Sequence, residues 1–475
     1  MELDKDLCSV QETRNLMEAA ENAFQTLKNF DQKQLDAIVA AISAAGSRHA
    51  AELGAMAVEE TGFGNAEDKA EKNRFASERV YSAVKDMKTI GILREDREHR
   101  VWDVGVPVGV IAGIVPSTNP TSTVIYKAMI ALKAGSPIVF SPHPHAVKCT
   151  VRAAELVAQA AESAGCPKGA ISCISTPTMA AVQELMHHKH TRLILATGGG
   201  AMVRAAYSSG KPAIGVGAGN GPAYIHRSAD IPKAVSDILR SKTFDNGTVC
   251  ASEQSVVIER CCEAGVREEF LRQGGYFLSA EEAAKIAGLL LRCDGSINPR
   301  AVGKPAVQIA KMAGFSVPCS TRVLIARETE AGPTRPYSRE KLCPVLALFV
   351  EENEDSVLKR AVEVLLGEGA GHTFSIHAAD EAVIRRFALE IPVSRFLVNT
   401  PSSLGGIGLT TRLFPALTLG CGAVGGSSSS NNIGPLDLIN IRRVAWGTED
   451  APCHDASPEL IETLTQEILR RLKQS

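Results

Sequence analysis

Apolar residues recur at helical spacing through residues 9–90, in segments rich in Ala, Glu and Lys and punctuated by Gly46, Gly54 and Gly62 to Gly64. This spacing predicts several surface helices. From Arg97 the period changes. Val101, Val104, Val106, Val108, Ile111, Ile114 and Val115 stand at near-alternate positions among Gly and Pro, which predicts a hairpin over 97–108 leading into a buried strand. After the turn Pro116-Ser117-Thr118-Asn119-Pro120 a helix opens at about Thr121. The strands Ile138 to Ser141, Ala170 to Ile174 and Arg192 to Ala196 then alternate with helices over 146–164 and 178–187. Strand, helix, strand order implies a parallel, doubly wound sheet.

From about Ser228 to Phe414 helices at 231–240, 280–291 and 356–367 are mixed with strands at 255–258, 321–326, 345–350 and 395–398. The fold class expected is therefore α/β with two doubly wound domains. Residues 420–434, rich in Gly, Ser and Asn, form a loop, either ordered or flexible. A strand at 438–446, a polar linker at 448–456 and a last helix follow. Ser457 and Pro458 suit an N-cap and first helical position. Leu460, Ile461, Leu464, Ile468, Leu469 and Leu472 then repeat along one face.

A chain of 475 residues with 45% hydrophobic content has enough apolar material for more than one core. A formal net charge of -2 argues against nucleic acid as a partner. The 12 cysteines lack paired short spacings of the zinc or disulfide kind, apart from the adjacent Cys261 and Cys262, which suits a reducing compartment and no metal site. The acidic, helical N-terminus lacks a secretory pattern and the apolar runs are too short for a membrane span, so a cytoplasmic protein is expected.

Candidate chemistry centres on Cys250. The turn formers Asp245-Asn246-Gly247 precede it and a short apolar strand follows, so the thiol is either pushed out of the core as a nucleophile or buried as a small hydrophobe. Thr197-Gly198-Gly199-Gly200 closes a strand and opens a helix. It reads either as a tight turn or as a place where a dinucleotide pyrophosphate meets backbone N–H groups. The glycines of 215–222 do not fit G-x-G-x-x-G, and Pro222 would interrupt a helix there.

The ordered set Pro116-Ser-Thr-Asn-Pro120, Ser141-Pro-His-Pro144, Thr197-Gly-Gly-Gly200, Gly217-Ala-Gly-Asn-Gly-Pro222 and the Cys250 segment resembles the aldehyde dehydrogenase superfamily. Within it the resemblance is to the CoA-acylating branch, over residues 10–447. The resemblance implies a NAD-binding domain over 1–227, a catalytic domain over 228–414 and a return to the first domain over 415–447. The hairpin 97–108 and the strand near 438–446 would join protomers of a homodimer or homotetramer.

By the same resemblance Cys250 is the nucleophile and Asn119 the side-chain donor to the oxyanion. Thr197, Gly198 and Gly199 would meet the pyrophosphate, Glu340 would hold the nicotinamide ribose, and Ser141 and His143 would line the adenosine side. His372 would assist a thiol or contact CoA, and 401–403 and 418–422 would shape the acyl pocket. Hydrolytic relatives place a water-activating glutamate in the stretch corresponding to Lys211–Tyr224, and no acidic residue occurs there. CoA is thus the expected acceptor, with a short-chain aldehyde as substrate (propionaldehyde, acetaldehyde or a sulfoacetaldehyde-type variant). A hydrolytic enzyme giving the free acid is the alternative. Glu253 is expected to be a strand-edge charge. The tail 457–475 resembles the peptides that attach enzymes to bacterial microcompartment shells, with packing on its own protein as the alternative.

Overall fold

The computed structural model describes residues 4–292, 295–447 and 457–473. The chain divides into two compact units, one of residues 1–90 and 106–440 and one of residues 91–105 and 441–475. In the larger unit it builds two sheets whose neighbouring strands all run parallel.

The first sheet runs, in spatial order, Ile171–Cys173, Ile138–Ser141, Ile111–Ile114, Leu193–Thr197, Ala213–Val216. Numbered within the sheet this is 3-2-1-4-5, the doubly wound order. Alternate residues feed opposite cores, as the two-residue period of a strand requires. Ile138, Phe140, Leu193 and Leu195 pack into one, with helices Gln32–Arg48, Pro120–Lys133 and Val147–Ser163. Val139, Ile194 and Ala196 pack into the other, with Met17 and Ala20 and the helix Met179–His187. The helix Pro120–Lys133 is buried along its whole length, Lys127 and Lys133 included.

The second sheet runs Gly275–Phe277, Val323–Glu328, Val345–Glu351, Glu253–Glu259, Gly221–Ile225, Gly371–His377, Val393–Val398. Its faces too are covered by separate cores, one around Phe349, Phe374 and Phe387, the other around Val256, Ile238 and Phe270.

Several expectations are corrected. The helices before residue 90 are not simply surface helices: Leu35, Ile38, Val39 and Ile42 belong to the core, and Lys69, Lys72 and Asn73 are buried. The glycine run 215–222 carries the chain from Val216, the last residue in the first sheet, to Gly221, the first in the second. Pro222 is accommodated in a strand because the register shifts beside it. Residues 420–434 are ordered, with Gly420 N donating to Asn431 O and Gly422 N to Ser429 O, both at 2.9 Å.

In the smaller unit Gly91–Asp96 pairs antiparallel with Val101–Pro107, and Ile439–Ala445 completes a three-stranded sheet. Residues 97–100, expected to start the hairpin, form its turn, where Arg100 takes a positive φ of 52°. The Trp102 and Trp446 rings meet edge to face at 4.8 Å. The helix Pro458–Leu472 starts at Ser457, whose hydroxyl accepts from Leu460 N at 3.2 Å, and its apolar side chains are exposed. The linker 448–456 lies outside the described residues. Among the described residues no helix is long and apolar enough to cross a membrane.

Candidate active site

In a doubly wound sheet the connections from strands 1 and 4 leave toward opposite faces, opening a crevice at their carboxyl ends. Here those ends are Ile114 and Thr197, and a cavity of about 270 Å³ lies beyond them. Asn119, His143, Thr197, Gly198, Gly199, Cys250 and Glu340 all border it. Ser141 and His372 do not.

The loop that carries Cys250 is held from one side chain. Asp245, Asn246 and Gly247 all take positive φ, at 48°, 51° and 79°, a region that Asp, Asn and Gly enter most readily. The Asp245 carboxylate is fully buried. Its Oδ1 accepts from Asn65 N at 2.9 Å, and its Oδ2 from Lys69 Nζ at 2.9 Å, Lys72 Nζ at 2.5 Å and Thr248 Oγ1 at 2.5 Å. The two lysines hold its carboxyl below the ordinary range against the effect of burial. Five residues on, burial pushes the Cys250 thiol up to about 12, Glu340 and Cys421 add to the rise, and Arg395 opposes it. The crossing between the sheets passes close by. A Cβ on Gly219 would lie 2.0 Å from Cys250 O, so only glycine fits.

Asn119 stands immediately before Pro120, the first helical residue, yet its side chain makes no capping bond. Its Oδ1 accepts from Lys72 Nζ at 2.6 Å, and its Nδ2 donates to Thr248 O at 3.2 Å and Thr118 Oγ1 at 3.3 Å. A helix cap is therefore not what this asparagine provides. Its amide is set by the Cys250 loop and by a lysine far earlier in the chain.

Glu340 is buried, and its Oε1 accepts from Gly219 N at 2.9 Å. Burial pushes its carboxyl up to about 8. Thr197 and Thr418 approach through their hydroxyls at 3.3 Å. Gly199 precedes the helix Gly200–Ser208 and has nothing within 4 Å of where a Cβ would stand. His143 is exposed at the rim, its Nδ1 accepting from His145 N at 3.1 Å, whereas Ser141 is buried at its strand end.

His372 lies inside the second sheet. Its Nδ1 meets Thr373 Oγ1 at 2.8 Å, its Nε2 has no partner, and burial lowers its pKa to about 3. Glu253 is not a strand-edge charge. It begins the central strand of the second sheet fully buried, Oε1 accepts from Ser402 N at 2.9 Å, and burial raises its carboxyl to about 7. Ser402 thus supports that strand and Ser403 N donates to Ser241 Oγ, while Leu417 and Leu419 border the cavity. Lys72, Thr248 and Arg395 were not singled out in the sequence. Lys72 sits in an Ala-, Glu- and Lys-rich helical stretch, and nothing in that local pattern marks one lysine as interior.

Two parallel sheets meeting around a thiol, an amide and a glycine turn at the switch point define an aldehyde dehydrogenase-like α/β fold. The family model described as "Aldehyde dehydrogenase family" matches residues 5–273, and the chain belongs to that family. It is 45% identical over 451 residues to the bifunctional aldehyde-alcohol dehydrogenase AdhE of Escherichia coli K12, covering 94% of this chain and 50% of that protein. The chain thus spans about half the length of that relative. A probable aldehyde dehydrogenase from Listeria monocytogenes superposes with a TM-score of 0.93 at 58% identity, over 94% of this chain and 99% of that one. An acetylating aldehyde dehydrogenase from Geobacillus thermoglucosidasius gives 0.93 at 51% identity, over 94% and 99%. A Rhodopseudomonas palustris propionaldehyde dehydrogenase, with bound CoA and an acylated cysteine, gives 0.84 at 28% identity, over 91% and 97%.

Proposed function

We propose that the chain is a NAD-dependent, CoA-acylating aldehyde dehydrogenase that converts a short-chain aldehyde, propionaldehyde or acetaldehyde, and CoA to the acyl-CoA. One observation carries the reading. Cys250 and the Asn119 amide border the same cavity, and the part of Lys211–Tyr224 that borders it offers only Val216, Gly217 and Ala218. A nucleophile and an oxyanion donor are present, and that stretch supplies no base for water.

The Cys250 thiolate attacks the aldehyde carbon and the carbonyl π pair moves onto oxygen. Asn119 Nδ2 and the Cys250 backbone N–H donate to that oxygen, where charge appears only in the transition state. The residues present fit a dinucleotide: Gly199 faces open space before a helix N-terminus, and a buried carboxyl borders the cavity. Thr197 to Gly199 would hold the pyrophosphate, Glu340 the nicotinamide ribose, and His143 with the strand end at Ser141 the adenosine side. When bound, NAD supplies the hydride acceptor, and a thioester is left on Cys250. A carboxyl at about 8 is mostly protonated at neutral pH, so Glu340 is a poor base for a deacylating water. The CoA thiolate then attacks the thioester carbonyl and expels the Cys250 thiolate. His372, whose Nε2 is unpartnered, is assigned to contact with CoA; with its imidazole lowered to about 3 it is too weak a base to take the thiol proton. The acetylating relative, and the relative that holds CoA and an acylated cysteine, support CoA as the acceptor.

The domain limits at 227/228 and 414/415 belong to the same reading. So do assembly as a homodimer or homotetramer through the three-stranded sheet, and docking of residues 457–475 on a microcompartment shell protein. Support for docking is that Leu460, Ile461, Leu464, Ile468, Leu469 and Leu472 are all more than half exposed.

The reading is tested by absorbance of the reduced nicotinamide with propionaldehyde and NAD, with and without CoA. Sustained turnover is expected only with CoA. An equal rate without CoA makes the enzyme hydrolytic, with Glu340, the carboxyl that borders the cavity, the candidate base.

A further inference from the structure

We infer that Lys72 is a positioning residue of the oxyanion site: its buried ammonium fixes, and polarises, the side-chain amide of Asn119. The inference rests on the reading of Asn119 as oxyanion donor.

An asparagine amide is nearly symmetric in shape, and a half-turn about its last bond exchanges oxygen for nitrogen. An oxyanion site tolerates only one of the two orientations, because the other presents a carbonyl dipole to a negative charge. Two opposed contacts decide between them here. The ammonium of Lys72 lies 2.6 Å from Oδ1, and the carbonyl of Thr248 lies 3.2 Å from Nδ2. An acceptor faces a cation and a donor faces an acceptor. Both nitrogen contacts are long, at 3.2 and 3.3 Å, so a charged oxygen in the cavity is the better acceptor for those protons.

Lys72 itself has no freedom to turn. Its three N–H bonds have three acceptors, Asn119 Oδ1 at 2.6 Å, Asp245 Oδ2 at 2.5 Å and Thr248 Oγ1 at 3.0 Å, and its side chain is 3% exposed. The helix that carries it is tied to the helix after Asn119, since Thr121 Oγ1 donates to Asn73 Oδ1 at 2.8 Å. Lys69 shares the Asp245 carboxylate and also donates to Thr118 O at 2.8 Å, so two buried cations stand behind the amide against one fully buried carboxylate, with Asp68 half-buried at the edge. A cation on the oxygen side of an amide draws electron density from nitrogen and strengthens its N–H donors. Lys72 itself borders the cavity, and its contact with Oδ1 carries its charge to the Asn119 N–H donors as well.

The experiment is a double-mutant cycle of Lys72→Met and Asn119→Ala, read as kcat and KM for the aldehyde with saturating NAD and CoA. Thermal melts and mass-detected alkylation of Cys250 serve as folding controls. Asn119→Ala is expected to lower kcat by about 10²-fold or more. Lys72→Met is expected to lower kcat by about 10-fold or more, with KM changed less than about 3-fold, and to add little in the Asn119→Ala background. Should Lys72→Met not fold, Lys72→Gln, neutral but still a donor to the same oxygen, carries the cycle with a smaller loss of kcat, about 3-fold or more, and the same lack of additivity with Asn119→Ala. An additive double mutant, or a Lys72 variant with unchanged kcat beside an impaired Asn119→Ala, overturns the inference and leaves the oxyanion reading standing. An Asn119→Ala enzyme with unchanged kcat overturns the oxyanion reading itself.

Discussion

Two buried polar clusters lie on either side of Cys250 in the chain, and they are built to opposite standards. Before it, Lys69, Lys72, Asp245 and Thr248 bond to one another and to Asn119, and none leaves a buried polar atom without a partner. After it, in the second sheet, Glu253 Oε2, Ser255 Oγ, His372 Nε2 and Ser375 Oγ are all buried and unpartnered. Satisfied networks hold one geometry. Unsatisfied ones cost stability and mark places where strain or function is kept. The cluster behind the cavity is the preorganised part of the site. The groups in the sheet stay buried without a hydrogen-bond partner.

The largest test of that division is at the thiol between them. Cys250→Ala is expected to remove turnover by about 10⁴-fold or more in steady-state assays. A smaller loss would mean that neither cluster serves a covalent step. Next is the pH dependence of alkylation. With its thiol near 12, Cys250 in the nucleotide-free protein should react about ten times faster for each unit by which pH rises toward that value, because the thiolate fraction rises with pH. Iodoacetamide labelling followed on the Cys250 peptide measures this. A plateau below pH 9 would show that the cation network reaches the thiol directly.

In the second cluster, His372→Ala should slow CoA-dependent turnover by about 10²-fold while the first-turnover burst of reduced nicotinamide changes less than about 3-fold. Equal loss in both phases would assign His372 to packing. The smallest effect concerns Glu253. Its carboxyl lies near 7 in the fold against an ordinary 4.5, so the native state holds more protons than the unfolded chain between those values, and stability falls as pH rises through them. Glu253→Gln should remove that loss, raising stability above pH 7 by on the order of 1–3 kcal/mol in chemical denaturation. No gain would mean that Oε2 finds a partner in solution.

What could be read from the sequence divides along the same line. Strand and helix order through the first sheet was plain because Ile138 to Ser141 and Arg192 to Ala196 are apolar and bounded by turn formers. The strands Gly221–Ile225 and Gly371–His377 were not read, since Pro, Gly, His and Thr occupy positions that only long-range pairing makes extended. Cys250, Asn119 and Glu340 were found through motifs that the family resemblance joined. Lys72 carries no such mark. Its role depends on a fold that brings residues 72, 119 and 245 together, and charge patterning along one helix contains none of that information.

The cavity wall draws on Lys72, Asn119, Thr197, Cys250, Glu340 and Leu419, residues spread over most of the chain. Contacts of such sequence separation form late, and domains fold from the N-terminus during synthesis. A nascent chain that has emerged as far as Cys250 already carries the thiol and most of its polar support. It still lacks the wall at Glu340 and Leu419. During translation, then, the thiol precedes its full enclosure by well over a hundred residues of synthesis, and chemical protection of Cys250 depends on the last third of the chain.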